Sequence, residues 1–353
     1  MKKFRRIGVL TSGGDAPGMN AAVRAVVRAG LANGIEVYGI KEGYKGLVED
    51  NMQLFGSACD VSNIITLSGT AIYTERCDEF ATDEGMRKAL EVCRKNNIDG
   101  VVAIGGDGTF RGATDLASHG IPTIGIPATI DNDVTASDYT IGFDTAMTTV
   151  LDFVDSLRAT SESHARACVV EVMGRHAGHI ALRTAVACGA FAVAVPEFDF
   201  DEDAVIKSII EKRKEGKRGF VVIVSEGLPG YAEKLAKTIG EKTGIATRYA
   251  NPGHAQRGGA PTLTDRLIAS EMGALAVRQL LAGNSDIVVC QRDGKLTTCE
   301  IKRALNVDRM FKGKMTDAER AALTPEDKAF MEARCDELRT SMKALYDLTY
   351  AIK

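Results

Sequence analysis

The chain contains 353 residues, of which 45% are hydrophobic and 26% are charged, and its formal net charge is −3. This size and composition are typical of a globular protein with one large or two medium domains. The near-neutral charge argues against nucleic acid or an acidic membrane as a partner, so an anionic ligand would have to be attracted by local groups of arginines.

A pattern recurs from the N-terminus onward: a short apolar run, a glycine-rich polar segment, and an alanine-rich helical stretch. The predicted strands are residues 7–10, 101–104, 123–126, 167–172 and 221–224. One helix is expected to begin near Ala21, a second to end near Ser118, and a third to end near Cys188. Short apolar strands alternating with helices predict a mostly parallel sheet covered on both faces, which is a doubly wound α/β fold. Ligands bind beyond the carboxyl ends of such strands, where the glycine-rich segments lie.

Two later segments depart from this pattern. Residues 288–290 and 296–299 flank Asp293-Gly294, which predicts a hairpin. Thr324 is expected to cap a helix whose first residue is Pro325. Its apolar stripe, which stops where the next position is polar Thr349, consists of Met331, Cys335, Leu338, Met342 and Leu345. We expect this helix to pack on its own body rather than to form an oligomer seam.

The cysteines and the N-terminus bear on location. The eight cysteines are scattered without a Cys-x-x-Cys pair. A chain of this size needs no disulfides, so we expect reduced thiols. The first apolar run is too short for a secretory signal, and no run approaches the roughly 20 apolar residues of a membrane span. We therefore expect a cytoplasmic protein.

Two glycine-rich loops, residues 12–15 and 105–109, each follow a predicted strand and precede a predicted helix. Glycine lets the backbone approach a phosphate closely, and a helix N-terminus offers N–H donors and a positive dipole end. Neither loop has the Walker A pattern or the G-x-G-x-x-G pattern of dinucleotide folds. Two such loops in one chain favour phosphate binding.

Acidic residues accompany these loops. Asp107 would repel a phosphate unless a cation such as Mg²⁺ stood between them, although a helix N-cap aspartate is the alternative. Asp131 and Asp133 follow the strand of residues 123–126, where a carboxylate could act as a general base. An Asx-rich turn is the alternative for that segment.

Several arginines lie near glycine-rich or polar loops, where each could clamp a phosphate with two hydrogen bonds. Taken singly, each is more often a surface residue. They are Arg76, Arg166, Arg175, Arg248 and Arg257.

Six segments together resemble the bacterial ATP-dependent 6-phosphofructokinase family. In chain order between about Ile7 and Arg309 they are LTSGGDAPGMNAAVRAVVR, IGGDGTFRGA, PATIDNDV, TIGFDTA, VVEVMGRHAGHIAL and GHAQRGGAPTLTDR. The resemblance implies two interlocked doubly wound, mostly parallel α/β/α domains. The larger, nucleotide-binding domain would be residues 1–142 plus 256–306, and the smaller, sugar-phosphate domain residues 143–255 plus 307–353 with a helical tail.

The resemblance also implies a reaction and an assembly. The γ-phosphate of ATP would pass to O1 of fructose 6-phosphate in a homotetramer, with a dimer as the smaller possibility. Asp131 would be the general base with Thr129 beside it, and Arg175 would stabilise the transferring phosphoryl group. Gly13 would lie at the reacting phosphates, and Asp107 would hold Mg²⁺.

The resemblance further implies binding residues for both substrates. The ATP positions are Gly13, Arg76, Cys77, Gly106, Asp107, Gly108 and Thr109. The sugar-phosphate positions are Thr129, Asp131, Arg166, Met173, Gly174, Arg175, Glu226, Arg248, His254 and Arg257. Arg166 and Arg248 would reach the 6-phosphate from a neighbouring subunit, so the active site would be shared between subunits.

The chain departs from the family at positions that select the phosphoryl donor. Relatives that use pyrophosphate typically carry Asp in place of Gly108 and Lys in place of Ala128, so ATP is favoured here. Ala128 is not the glycine usual in ATP enzymes, and we expect a modest effect. Cys77 replaces an aromatic residue near the adenine, so the sequence does not decide whether the enzyme selects ATP or GTP.

The family's effector site for ADP or phosphoenolpyruvate is matched only in part. The matching basic residues are Arg24, Arg28, Arg158 and Lys217. Ala58 stands where an arginine is expected, and Phe191 stands where an acid is expected. We therefore predict weak or absent regulation by these effectors.

Other functions stay open at this point. A pyrophosphate-dependent enzyme, or a kinase for another ketose phosphate such as tagatose 6-phosphate or sedoheptulose 7-phosphate, would use the same fold. A catalytically silent sensor is disfavoured because Asp107, Asp131 and Arg175 occur together, and a pure binding protein needs no base.

Overall fold

The computed structural model describes residues 4–353, in which strands and helices alternate. The strands are β1 (Arg6–Ser12), β2 (Glu36–Ile40), β3 (Met52–Phe55), β4 (Gly100–Gly105), β5 (Thr123–Pro127), β6 (Ala167–Val172), β7 (Ala192–Ala194), β8 (Phe220–Ser225), β9 (Thr247–Ala250), β10 (Ile287–Arg292) and β11 (Lys295–Glu300). The α-helices are α1 (Met19–Ala32), α2 (Tyr44–Glu49), α3 (Asp83–Lys95), α4 (Asp107–Ser118), α5 (Phe143–His164), α6 (His179–Ala187), α7 (Glu202–Lys214), α8 (Tyr231–Thr243), α9 (Leu263–Leu281), α10 (Ile301–Phe311), α11 (Asp317–Ala321) and α12 (Pro325–Ala351).

The chain forms two compact units, each assembled from separate segments. The first unit contains Met1–Ile130, Val134–Thr145 and Arg257–Cys335. The second unit contains Asp131–Asp133, Ala146–Gln256 and Asp336–Lys353.

The C-terminal helical segment divides between the two units. Residues 307–335 belong to the first unit. The physical reason is burial, since Val307, Met310, Met331 and Cys335 lie in the hydrophobic core that surrounds β4 and α4. Residues 131–133 belong to the second unit.

The sheet of the first unit has the order β11-β10-β5-β4-β1-β2-β3. Its five central strands pair in parallel, and β3 and β11 are antiparallel edges. The predicted hairpin is confirmed, because β10 and β11 pair through a turn in which Asp293 and Gly294 have φ of 51° and 73°. Positive φ at both central residues gives a turn whose twist matches that of the strands.

The sheet of the second unit has the order β7-β8-β6-β9, and all of its pairs are parallel. Strands β7 and β8 are buried along their whole length, as expected for a parallel sheet covered on both faces. The predicted α/β class with mostly parallel sheets is therefore confirmed in both units. Across residues 4–353, no helix combines the length and the apolar character needed to cross a membrane.

Helix α12 begins as predicted. The Thr324 hydroxyl accepts a hydrogen bond from the backbone N–H of Asp327 at 3.1 Å, and Pro325 is the first helical residue. Met331, Cys335 and Met342 are at most 2% exposed, so the apolar stripe packs on the chain itself. Thr349 extends the stripe, because it is buried while its hydroxyl donates to the carbonyl of Leu345 at 3.0 Å.

A buried carboxylate joins the starts of two helices in the first unit. Asp265 of α9 is fully buried, and its Oδ1 accepts from the Tyr139 hydroxyl and the Gly142 N–H, both at 2.6 Å. Its Oδ2 accepts from the N–H of Thr145 at 2.9 Å and from the Thr145 hydroxyl at 2.5 Å. Burial raises the pKa of Asp265, while these hydrogen bonds act in the opposite direction. Asp265 thus caps α5 from a distant segment.

Candidate active site

Three neighbouring strands of the first unit deliver the predicted phosphate loops to one edge of the sheet. Ser12 at the end of β1 pairs with Gly105 of β4, and Gly105 pairs with Pro127 of β5. The loops that follow these strands begin with Gly13, Gly106 and Ala128. Because parallel strands end at the same edge, the three loops emerge side by side.

Short hydrogen bonds hold these loops together. The Thr109 hydroxyl donates to the carbonyl of Ser12 at 3.0 Å, and the N–H of Ala128 donates to the carbonyl of Gly105 at 3.0 Å. The Tyr44 hydroxyl donates to the carbonyl of Thr109 at 2.5 Å. A Cβ atom at Gly105 would lie only 2.3 Å from the carbonyl oxygen of Ser12, so the close approach requires glycine.

Asp107 lies in the first turn of α4 and not at its N-cap, which is Gly106. The N-cap interpretation of Asp107 is therefore wrong. Its Oδ1 accepts from the N–H of Gly108 at 2.7 Å, and its Oδ2 lies 2.9 Å from Arg111 Nη2. Its side chain is 37% exposed, so the carboxylate is open to a ligand. The space that a Cβ would occupy at Gly106 or Gly108 is empty to 4 Å.

Among residues 4–353 there is no cluster of three or more acidic, histidine or cysteine side chains that could hold a metal ion. A magnesium ion bound by one or two carboxylates and the phosphates of a substrate does not need such a cluster. The partly exposed carboxylate of Asp107, at a helix N-terminus that attracts anions, fits that kind of site.

Two of the predicted ATP positions, Arg76 and Cys77, lie on a segment held against the first loop. The Thr74 hydroxyl donates to the carbonyl of Gly13 at 2.7 Å, two residues before Arg76. Arg76 is exposed, whereas Cys77 is half-buried against the first core. Both residues therefore follow a point that is fixed next to Gly13.

Arg257 also contacts the first loop. Its Nη1 donates to the carbonyl of Asp15 at 3.1 Å and lies 2.8 Å from the Cβ position of Gly14. It ends the short 3-10 helix Gly253–Arg257, which also contains the exposed His254. The structure thus places the Arg257 guanidinium against one of the predicted phosphate loops.

Asp131 is buried, with only 6% of its surface exposed, and it follows β5 by four residues. The carbonyl of Thr129, two residues earlier, accepts from the Thr140 hydroxyl at 2.6 Å. Asn132 has φ of 51°, a conformation that residues other than glycine seldom adopt. Such strain persists only where the surroundings impose it, and it is concentrated at functional sites.

A second strained loop, residues 173–175, follows β6 in the second unit. Gly174 and Arg175 have φ of 138° and 56°. Their N–H groups donate to Oε1 of Glu226 at 3.1 and 2.6 Å, and Glu226 follows the neighbouring strand β8. The structure therefore brings Met173, Gly174, Arg175 and Glu226 together, and the Arg175 side chain is exposed.

Arg166 and Arg248 occupy the margin of the same sheet. Arg166 immediately precedes β6 and is half-buried. Arg248 lies on the edge strand β9, opposite Cys168, with its side chain exposed.

A model of the family described as phosphofructokinase matches residues 6–280. The chain belongs to the phosphofructokinase family. This confirms the resemblance inferred from the sequence.

Individual relatives agree with this assignment. A protein from Alkaliphilus metalliredigens named ATP-dependent 6-phosphofructokinase is 49% identical over 308 residues, covering 87% of this chain and 96% of the relative. A protein of the same name from Clostridium tetani is 50% identical over 319 residues, covering 90% of this chain and 99% of the relative. A solved phosphofructokinase from Saccharomyces cerevisiae has a TM-score of 0.85 at 30% identity over 97% of this chain. This chain spans about half of the yeast chain, 49% of its length.

Two side chains that sequence reasoning did not single out, Gln256 and Glu197, accept hydrogen bonds from backbone N–H groups of the second unit. Gln256 is fully buried, and its side chain accepts from the N–H of Met173 at 3.1 Å and donates to the carbonyl of Gly253 at 3.0 Å. Its position inside the GHAQRGG segment was the available signal. Glu197 accepts from the N–H of Gly178 at 2.8 Å, and burial raises the pKa of Glu197. No sequence pattern indicated Glu197.

Three of the four basic residues of the partial effector match lie against protein groups, namely Arg28, Arg158 and Lys217. In the first unit, Arg28 Nη2 donates to the carbonyl of Ala58 at 3.3 Å and to the Ser62 hydroxyl at 3.2 Å. Burial and the neighbouring Arg28 lower the pKa of Arg24.

In the second unit, Lys217 Nζ lies 6.0 Å from the ring centre of the buried Phe191, which replaces the expected acid. Arg158 donates to the carbonyl of Cys188. An aromatic ring attracts a cation but offers no carboxylate to orient a ligand.

Proposed function

We propose that this member of the phosphofructokinase family transfers the γ-phosphate of ATP to O1 of fructose 6-phosphate, giving fructose 1,6-bisphosphate and ADP in glycolysis. One observation carries the proposal beyond the family. A buried carboxylate, Asp131, follows β5, and its neighbour β4 leads directly into the glycine-flanked Asp107. Phosphoryl transfer needs a proton acceptor for the sugar and neutralised charge at the phosphates.

The phosphates of ATP are assigned to the loops that begin with Gly13 and Gly106. The N-terminus of α4 offers N–H donors, and the small glycines leave room for the phosphates. Mg²⁺ would be held by Asp107 together with phosphate oxygens and would neutralise their negative charge.

The sugar phosphate is assigned to the residues that the family resemblance gives it. Arg175 would stabilise the charge that develops on the transferring group, and its backbone is held by Glu226. Asp131 would accept the proton of the O1 hydroxyl, and its burial restricts the orientations that its carboxylate can adopt. His254, Arg257, Arg166 and Arg248 would bind the 6-phosphate.

Replacement of the proposed base gives the first prediction. Asp131→Ser is expected to lower kcat by about 10²- to 10⁴-fold, because general-base catalysis contributes on that order. The Kd for fructose 6-phosphate, measured by calorimetry, should change only a few-fold. Asp336→Ser, at a carboxylate that is 76% exposed, is the control and should leave kcat unchanged. Loss of sugar affinity with kcat retained would contradict the role of Asp131.

The donor is tested at Gly108. Gly108→Asp should keep the fold, because the space for its side chain is open, but it places a negative charge beside the nucleotide phosphates. We expect the KM for ATP to rise about tenfold or more, since repulsion of roughly 1–4 kcal/mol acts between unit charges 4 Å apart. Gly108→Asn supplies the same volume without the charge and should raise this KM much less. Equal effects of Asp and Asn would show that volume, not charge, selects the donor.

Two alternative functions are less favoured. A pyrophosphate-dependent enzyme is less compatible with Gly108, and a kinase for tagatose 6-phosphate or sedoheptulose 7-phosphate would use the same residues. Steady-state rates with ATP, GTP and pyrophosphate against fructose 6-phosphate, tagatose 6-phosphate and sedoheptulose 7-phosphate decide among them. A higher kcat/KM with pyrophosphate than with ATP would replace the main proposal.

Regulation by ADP or phosphoenolpyruvate is expected to be weak. Arg28 and Lys217 already contact protein groups, and Phe191 supplies no carboxylate. The dependence of rate on fructose 6-phosphate should therefore stay hyperbolic in the presence of phosphoenolpyruvate. A sigmoidal curve that ADP restores to hyperbolic would contradict this expectation.

We further propose a cytoplasmic homotetramer, or a dimer, whose active sites are completed by Arg166 and Arg248 of a neighbouring subunit. The support is the family resemblance and the exposed position of Arg248 at a sheet edge. Sedimentation equilibrium tests the assembly, and a fully active monomer would exclude the shared site.

A further inference from the structure

Helix α12 lies outside residues 6–280, which the family model matches. It carries one arginine whose burial is unusual for a helix rich in exposed charge. The Arg334 side chain is only 2% exposed, whereas the Arg339 side chain on the same helix is 55% exposed. Arginine is almost never fully buried unless it is paired, so the surroundings of Arg334 need an account.

Arg334 contacts the segment that follows the proposed base. Its Nη2 forms an ion pair with Oδ1 of Asp138 at 2.7 Å, and its Nε donates to the carbonyl of Thr135 at 2.7 Å. The planar guanidinium group holds its donors in a fixed relation, so one side chain fixes two points three residues apart.

Other parts of the first unit hold the same segment from different directions. The N–H of Asp138 donates to the carbonyl of Gln291 at 2.8 Å, and the N–H of Gln291 donates to the Ser137 hydroxyl at 3.0 Å. The Thr135 hydroxyl donates to Oδ1 of Asp308 at 2.8 Å. Strand β10, helix α10 and helix α12 therefore all bind residues 135–138.

The segment of residues 135–138 lies close in sequence to the proposed base, Asp131. Thr135 stands four residues after Asp131, and the left-handed Asn132 lies between them. A strained conformation persists only while the adjoining backbone is held. If residues 135–138 relax, the strain at Asn132 can be released, and the Asp131 carboxylate moves from the position required for proton transfer.

We propose that Arg334 of α12 is a positioning residue that holds residues 135–138 and thereby keeps the Asp131 carboxylate in its reactive orientation. This inference rests on the proposed role of Asp131 as the general base. It gives the C-terminal helix a part in the reaction although none of its residues need touch a substrate.

The test compares Arg334→Met with the wild-type chain, since methionine fills part of the same volume without hydrogen bonds. We expect kcat to fall about 10- to 100-fold, which is the usual effect of a misplaced catalytic group. The KM values for ATP and fructose 6-phosphate should stay within a few-fold, because the binding loops are held by other contacts. Hydrogen exchange should accelerate at the amides of residues 131–139.

Further variants separate positioning from general stability. Arg334→Lys keeps the charge but has a single donor centre, so it should recover part of the lost kcat. Asp138→Asn removes the same ion pair by changing the partner of Arg334, and it should also lower kcat. It serves as the test if Arg334→Met fails to fold. Met342→Ala removes a buried side chain of the same helix, far along it from Arg334, and should lower Tm while leaving kcat unchanged at 25 °C.

The proposal is overturned if Arg334→Met and Asp138→Asn keep the wild-type kcat, or if Met342→Ala lowers kcat as much at equal Tm. A wild-type chain that is inactive with every donor and sugar phosphate would refute the proposed function instead. In that case the exchange rates at residues 131–139 still test the bracing: unchanged rates in both Arg334→Met and Asp138→Asn overturn it.

Discussion

Where β1, β4 and β5 end, their backbones pack so closely that a Cβ atom at Gly105 would lie 2.3 Å from the carbonyl oxygen of Ser12. This close approach brings the three following loops to one edge of the sheet, where helix α4 begins directly after Gly106. Anionic ligands are attracted to a helix N-terminus because its dipole and its first N–H groups present positive charge without a lysine or arginine. A carboxylate at this edge repels an anionic ligand unless a cation neutralises its charge or a proton binds to it.

In the second unit, hydrogen bonds to side chains hold the loop that follows β6. This loop of residues 173–175 is held through backbone N–H groups, since Glu226 accepts from Gly174 and Arg175 while Gln256 accepts from Met173. Hydrogen bonds of this type fix direction more than they add stability, because each contributes only about 1 kcal/mol net. The exposed side chain of Arg175 therefore starts from a well-defined backbone position.

The sequence predicted β1, β4, β5, β6, β8, the β10–β11 hairpin and the start of α12, because apolar runs, Asp-Gly turns and capping threonines are local signals. It did not predict β2, β3, β7 and β9. Strands β3 and β9 are short and largely exposed and show no regular alternation of buried and exposed residues. It predicted the loops around Asp107 and Asp131, but not Gln256 or Arg334. The importance of these two residues depends on partners 83 and about 200 residues away, as in the pairs Gln256–Met173 and Arg334–Thr135.

The buried Asp265 has a consequence for how this chain can vary in evolution. Its two oxygen atoms accept four hydrogen bonds from Tyr139, Gly142 and Thr145. Because one carboxylate must reach all four donors, the number of residues between Tyr139 and Thr145 is constrained. A single inserted or deleted residue between Tyr139 and Thr145 would withdraw at least one donor and leave a buried charge unsatisfied. Length differences among homologous chains should therefore accumulate elsewhere, for example at the exposed residues Gly313 and Lys314 between α10 and α11.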